Sequence, residues 1–182
     1  ANRAERQLAK ADFTAYPPES TTRAIPWGSL RMRLALFQPD IPQNVGAAIR
    51  LAACLGVWLD IIEPCGFPIS DRSLRRVAMD YEAEVDLHRH DSWTAFLAHP
   101  ARHEGRLVLF TTRGAQPYVD FAFQPGDTLL FGRESAGVPD DVHDRADARL
   151  IVPIRGRSLN VTKTAAMALG EALRQTHGFP AG

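Results

Sequence analysis

Residues 128–145 read TLLFGRESAGVPDDVHDR. A short apolar run, TLLF (128–131), stops in a loop with glycines at 132 and 137, and Pro139 then opens a polar stretch of helical pattern over 139–145. A brief apolar run bounded by turn residues is the signature of a fully buried strand. Strand, glycine-bearing loop and helix in that order make one unit of a parallel sheet. The loop also sets Arg133 beside Glu134, a charged pair that a simple change of direction does not require.

The unit recurs along the chain. LALF (34–37), VWLDII (57–62), AEVDLH (83–88), LVLF (107–110) and ARLIV (148–152) are apolar or alternating runs, so with TLLF six strands are expected. Helical patterns fall between or after them at 44–55, 71–79, 91–98, 139–145 and 160–176. Alternating strands and helices predict an α/β fold, a mainly parallel sheet flanked by helices on both faces. Ligands of such sheets lie beyond the carboxyl ends of the strands, so the strand-to-helix loops are where chemistry is sought. Residues 31–182 read as a single domain, and residues 1–30, polar and containing Pro17-Pro18, as an extension expected to be partly disordered.

Composition narrows the function classes. With 45% hydrophobic and 23% charged residues the chain is that of a soluble globular protein. It has no apolar stretch near the roughly 18 residues of a membrane helix and no export signal, which predicts a cytoplasmic protein. Cys54 and Cys65 lack paired spacing and read as core thiols. His88, His90, His99 and His103 read as surface histidines, with no metal expected. The formal net charge is zero, yet Arg155, Arg157, Lys163 and Arg174 face only Glu171 over residues 150–182. That end is locally basic and suits a polyanion.

The first loop, QPDIPQNVGAAIR (38–50), lacks the G-x-G-x-x-G of a dinucleotide enzyme, which disfavours a nicotinamide dehydrogenase. Asn44 reads as the helix start, and Gly46 and Arg50, four residues apart, share a helix face. The loops after the last three strands are FTTRG (110–114), FGRESAGVP (131–139) and PIRGRSLN (153–160). Three such polar, glycine-bearing strand ends fit one pocket that reads a ligand through backbone groups. In the last helix Val161, Ala165, Ala168 and Ala172, with Ala166 and Gly170, form a small-residue stripe. It suits either tight packing on the chain's own sheet, or a second protomer or unusual chain crossing. Lys163 in the first turn opposes the helix dipole by about 0.3–1 kcal/mol, which a phosphate would offset.

Taken together, NVGAAIR (44–50), FGRESAGVP (131–139) and RSLNVTKTAAMALGEALRQ (157–175) resemble the three motifs of the SPOUT-class, trefoil-knot RNA ribose 2′-O-methyltransferases. LFQPDIPQN (36–44), IIEPCGF (61–67), LRRVAMDY (74–81) and FTTRG bring the small tRNA wobble-nucleotide branch of that family nearest. The likeness covers about residues 31–179. It implies a C-terminal trefoil knot, a homodimer, and S-adenosylmethionine bound at Phe110, Thr111, Gly132, Val152, Ser158 and Leu159. Gly132 would give the adenosine close backbone access. Arg50, Asn44, Glu134 and Asn160 would stand at the reacting end. Arg50 would work with an RNA phosphate, because a free guanidinium is a poor base, and Glu134 would brace the loops or the cofactor's amino group. Arg133, Arg155, Arg157 and Lys163 would hold RNA, the anticodon stem-loop of tRNA, although Arg133 suits solvent equally well. Lys163-Thr164 and the short loop before Ser158 depart from the family pattern. The rivals are methylation of ribosomal RNA or of another tRNA position, and a silent knot protein that binds RNA and S-adenosylmethionine without turnover; the presence of Asn44, Arg50, Glu134, Ser158 and Asn160 argues against silence.

Overall fold

A computed structural model describes residues 31–68, 85–114, 116–156 and 158–180. The extension at 1–30, the helix expected at 71–79, LRRVAMDY and Arg157 lie outside them. The strands are β1 (Arg33–Phe37), β2 (Trp58–Ile62), β3 (Leu87–His90), β4 (Leu107–Phe110), β5 (Gln116–Pro117), β6 (Thr128–Phe131) and β7 (Ala148–Ile151). They form one sheet in the order β3-β2-β1-β6-β4-β7-β5, with every neighbouring pair parallel. Five of the six expected strands are present to within one residue at either end, whereas the one expected at 83–88 is found at Leu87–His90, where the chain pairs with Leu59–Ile62 of β2. The two-residue β5, too short for any period to show, adds a seventh.

Helices cover both faces. On one side α1 (Pro42–Leu55) and α4 (Val161–Thr176) pack on Leu34, Leu36, Leu59, Ile61, Leu129 and Phe131. On the other, α2 (Trp93–Ala98) and α3 (Asp140–Arg145) bring Phe96 and Val142 onto Ala35, Phe37, Ile62, Leu107, Leu109 and Leu130. Successive strand residues alternate between these two clusters, as the pleat requires.

Helix α1 starts earlier than expected. Pro42 occupies the first turn, where its missing N–H costs nothing, so Asn44 lies inside the helix. Gly56 ends it in the left-handed conformation at φ 64°. Val45, Ala48, Ile49 and Ala52 turn inward, while Gln43, Ala47, Arg50 and Cys54 are exposed. Cys54 is therefore on the outer face rather than in the core: helical period, not local apolar composition, decides its side. Cys65 is half-buried, and burial together with Glu63 pushes its thiol up to about 12.

In α4 the expected stripe divides. Ala165, Ala168 and Ala172 are fully buried in the cluster shared with α1 and β6, so they serve packing within the chain. Ala166 and Met167 are exposed, and open space surrounds the position a Gly170 side chain would take.

The histidines depart most from expectation. Asp60 is completely buried, and its carboxylate accepts from Arg33 at 3.0 and 2.8 Å and lies 2.7 Å from His90 Nε2. Arg33 also lies over the Trp58 ring, 5.1 Å from its centroid. His90 is buried, and His88 and His99 pack around it with ring centroids 5.3 Å apart from one another. A period-two pattern shows that His88 and His90 share a face but not that the face is covered. Burial pushes Asp60 up, but its bonds from His90 and Arg33 outweigh this and hold it below the usual carboxylate range. Truncating one member of such a buried pair typically costs about 3–5 kcal/mol, because its partner stays behind unpaired.

Burial, the first cause in each case, lowers His88, His99 and His143 from their ordinary value of 6.5. Around the first two stand Asp60, Arg33 and His90; Arg102 packs at the same edge. The unfolded chain then takes up protons first as pH falls, so this stability is complete above about 6.5 and lost below it. Urea midpoints should be flat from pH 8 to 7 and decline between pH 6.5 and 5.5. A flat profile across that range would contradict the burial of these rings.

Candidate active site

The sheet order brings together what the chain separates. β4 lies between β6 and β7, and β1 lies next to β6, so the carboxyl ends of β1, β6, β4 and β7 are neighbours. From β1 the chain runs outward to β2 and β3, whereas β6 and β4 flank it on the other side. That reversal is the switch point at which open α/β sheets bind ligands.

A cavity of about 850 Å³ opens there. Phe110 and Thr111 follow from β4, Gly132, Arg133 and Glu134 from β6, and Val152 from β7; Asn44 comes from α1, and Ser158, Leu159 and Asn160 precede α4. Ten of the residues expected at a site are thus on one wall system. Arg50, Arg155 and Lys163 are exposed and stand outside the lining. Ile41, Ile154 and Leu159, each 38–40% exposed, add an apolar rim. The sequence reading missed Ile41 and Ile154, since an exposed aliphatic in a loop carries no periodic signal.

One chain of side-chain hydrogen bonds ties the loops. Asn160 caps α4, its Oδ1 accepting from the N–H groups of Thr162 and Lys163 at 3.0 and 3.3 Å. Its Nδ2 donates to Asn44 Oδ1 at 2.9 Å. Asn44 Nδ2 donates in turn to Glu134 Oε1 at 2.7 Å, and Glu134 Oε2 accepts from the Asp40 N–H at 2.9 Å. Both Glu134 oxygens are engaged, which suits a brace between loops better than a proton acceptor. Asn44 is 6% exposed inside a helix, where an asparagine is unfavourable unless its amide is satisfied. This chain satisfies it.

The turn after β6 closes on itself. Arg133 and Gly137 exchange two backbone hydrogen bonds, at 3.0 and 2.9 Å, and Gly137 has φ 66°. A side-chain carbon on Gly132 would stand 2.5 Å from the Gly137 carbonyl carbon. The missing side chain at Gly132 makes room for Gly137, a packing demand on this position besides the backbone access expected for adenosine. Gly114 has the same role in FTTRG, where an added carbon would meet the β7 backbone at 2.6 Å. Gly46 is buried and Arg50 is exposed, so the two do not act as one open surface. Arg133 is half-buried and lines the cavity, and its buried Nε has no hydrogen-bond partner among the described residues. It faces the cavity and not solvent alone.

Among the described residues no cluster of His, Cys, Asp and Glu is arranged to hold a metal, and no helix is long and apolar enough to cross a membrane. Gly132→Ala should abolish ligand binding at the cavity while Gly170→Ala, with open space at its position, leaves thermal stability within about 1 kcal/mol of wild type. Ligand binding by Gly132→Ala at wild-type strength would show that the turn can reopen without cost.

Comparison with known proteins agrees with this geometry. Residues 31–170 match the SpoU rRNA methylase family. The tRNA (cytidine(34)-2′-O)-methyltransferase of Beijerinckia indica subsp. indica is 61% identical over 144 residues, 78% of this chain and 90% of that protein. The protein of the same name from Burkholderia ambifaria is 43% identical over 151 residues, 81% and 96% of the two chains. A solved structure concerned with 2-OH methylation of C/U34 on tRNA superposes with a TM-score of 0.73 at 44% identity, covering 79% of this chain and 95% of that one. The SpoU methyltransferase AviRb from Streptomyces viridochromogenes, in complex with the cofactor AdoMet, does so at 0.72 and 26% identity, covering 87% and 65%. The family match over residues 31–170, with relatives 61% and 43% identical over 78% and 81% of the chain, places this chain in the SpoU methylase family.

Proposed function

We propose that this chain methylates the ribose 2′-hydroxyl of the wobble nucleotide, position 34, of tRNA, using S-adenosylmethionine. The observation that carries the reading is the cavity in which Asn44, Glu134 and Asn160 meet, in a chain 61% identical to an enzyme bearing that name. The residues present fit the cofactor: an apolar rim for a flat ring, strand-end backbone for a ribose, and Glu134 with two amide oxygens near a positive sulfur or ammonium.

S-adenosylmethionine supplies a methyl group already activated by positive sulfur, so no residue has to create an electrophile. The chain's task is to hold a ribose 2′-oxygen in line at near-attack distance and help its proton leave. Asn44 and Asn160 are suited to orient the ribose. Each amide nitrogen carries two hydrogens, of which one is committed within the chain of hydrogen bonds. Glu134 holds Asn44 in place. Arg50 is on the outer face of α1, so its part in activating the hydroxyl requires a phosphate of bound tRNA to reach from that face to the cavity. Arg133 lies nearer, and with Arg155, Arg157 and Lys163 it is assigned to the RNA backbone.

Two further parts of this reading rest on placement. The chain leaves β7 near one edge of the sheet and returns in α4 to α1 and β6 at its middle, which supports the trefoil knot. The exposed Ala47 and Cys54 of α1 and Ala166 and Met167 of α4 supply small and apolar surface, which supports a homodimer. Residues 31–182 are taken as one domain acting in the cytoplasm, with no metal.

Labelled methyl transfer from S-adenosylmethionine to total tRNA, taken from cells lacking this gene, tests the proposal. The label should appear on the ribose of nucleotide 34. Label confined to ribosomal RNA, or at another tRNA position, would overturn the substrate, and no label at all would favour a silent binding protein.

A further inference from the structure

Two of the sequence stretches that carried the resemblance have almost no part in the cavity. Of LFQPDIPQN only Ile41 and Asn44 line it, and of IIEPCGF no residue does. They meet at Asp40. We propose that Asp40 is a positioning residue of the cavity, stapling the loop after β1 to the turn after β6 and to the loop after β2, and so fixing where Glu134 stands.

Three observations converge. The Asp40 N–H donates to Glu134 Oε2 at 2.9 Å, the second of the two donors that set this carboxylate. The Asp40 side chain reaches past it to the next residue: its Oδ2 accepts from the Ser135 N–H at 3.1 Å and from the Ser135 hydroxyl. One residue thus grips two consecutive residues of the turn, through its backbone and through its carboxylate. On the other side, Gly66 leaves room for Asp40. A side-chain carbon there would stand 3.0 Å from Asp40 Oδ1 and 3.1 Å from its Cα, and the Gly66 N–H donates to Pro39 at 3.0 Å.

The turn needs this external hold. Residues 135–137 are exposed, and among the described residues the only backbone-to-backbone hydrogen bonds the turn makes are the pair between Arg133 and Gly137 at its base. An exposed tip tied only at its base would sample many conformations, and Glu134 would move with it. A carboxylate accepting from an N–H and an O–H together is a strong, directional anchor. Ser135 holds the Asp40 carboxyl below the usual carboxylate range, so the staple stays set throughout neutral pH. Nothing in this role requires Asp40 to touch substrate, and it is absent from the cavity lining.

The inference rests on the reading of the cavity as a site for S-adenosylmethionine. Its test is calorimetric titration of S-adenosylmethionine into wild type, Asp40→Ala, Asp40→Asn, Ser135→Ala and Gly66→Ala, with the thermal midpoint of each. Asp40→Ala should weaken binding tenfold or more at a nearly unchanged midpoint. Asp40→Asn, whose amide oxygen still accepts from Ser135, should stay within threefold of wild type. Gly66→Ala touches no residue of the lining and should weaken binding by displacing Asp40. Wild-type affinity in Asp40→Ala, or equal losses in the Ala and Asn variants, would overturn the inference. Should Asp40→Ala fail to fold, weakened binding by both Ser135→Ala and Gly66→Ala supports the staple, and wild-type binding by both overturns it. A wild-type chain that takes up no S-adenosylmethionine would overturn the methyltransferase reading and this inference with it.

Discussion

The cavity depends on one polar chain, Asn160 to Asn44 to Glu134 to the backbone of Asp40. Its first two links join residues 116 and 90 positions apart in sequence, so no local preference can form it. Each member is placed by a different element: Asn160 by the cap of α4, Asn44 by the first turns of α1, and Glu134 by the turn after β6. The buried Asn44 amide without partners would cost more than any one of these bonds contributes. The same chain that satisfies these groups therefore fixes the loops relative to one another.

The rest of the structure brings these elements within reach. Parallel pairing of β1 with β6 sets Leu36 against Phe131, and the next few residues of each strand carry Asp40 and Glu134 toward each other. Small residues let α4 lie close to α1: Ala48 and Ala52 on one helix, and Ala165, Ala168 and Ala172 on the other, are completely buried. Larger side chains there would push Asn160 away from Asn44. Far from the cavity, Asp60 holds Arg33 and His90 under α2 and stiffens the β1–β2–β3 side of the sheet. Two separate polar networks thus stand at different places in the fold, and small-residue packing sets the one at the cavity.

Much of this is legible in the sequence alone. Apolar runs of four to six residues, spaced by helical patterns, were sufficient for the parallel α/β sheet, because strands buried on both faces must be continuously apolar. The loops of the cavity could be read from their glycines and charges. What escaped was whatever depends on three-dimensional neighbours. Cys54 and His90 exchanged sides relative to expectation, one outward and one inward, since composition does not say which face is covered. The packing demand on Gly132 was also hidden, because the group that needs its space, Gly137, is visible there only when the turn is closed. Asp40 had no signal beyond its place in a motif.

A double-mutant cycle on Glu134→Ala and Asn160→Ala, read as affinity for S-adenosylmethionine, tests the central claim most directly. The two residues do not bond each other and communicate through Asn44. If the polar chain acts as a unit, the double variant loses less than the sum of the single losses, with a coupling of about 1 kcal/mol or more. Losses that add to within about 0.5 kcal/mol, as independent sites do, would contradict it.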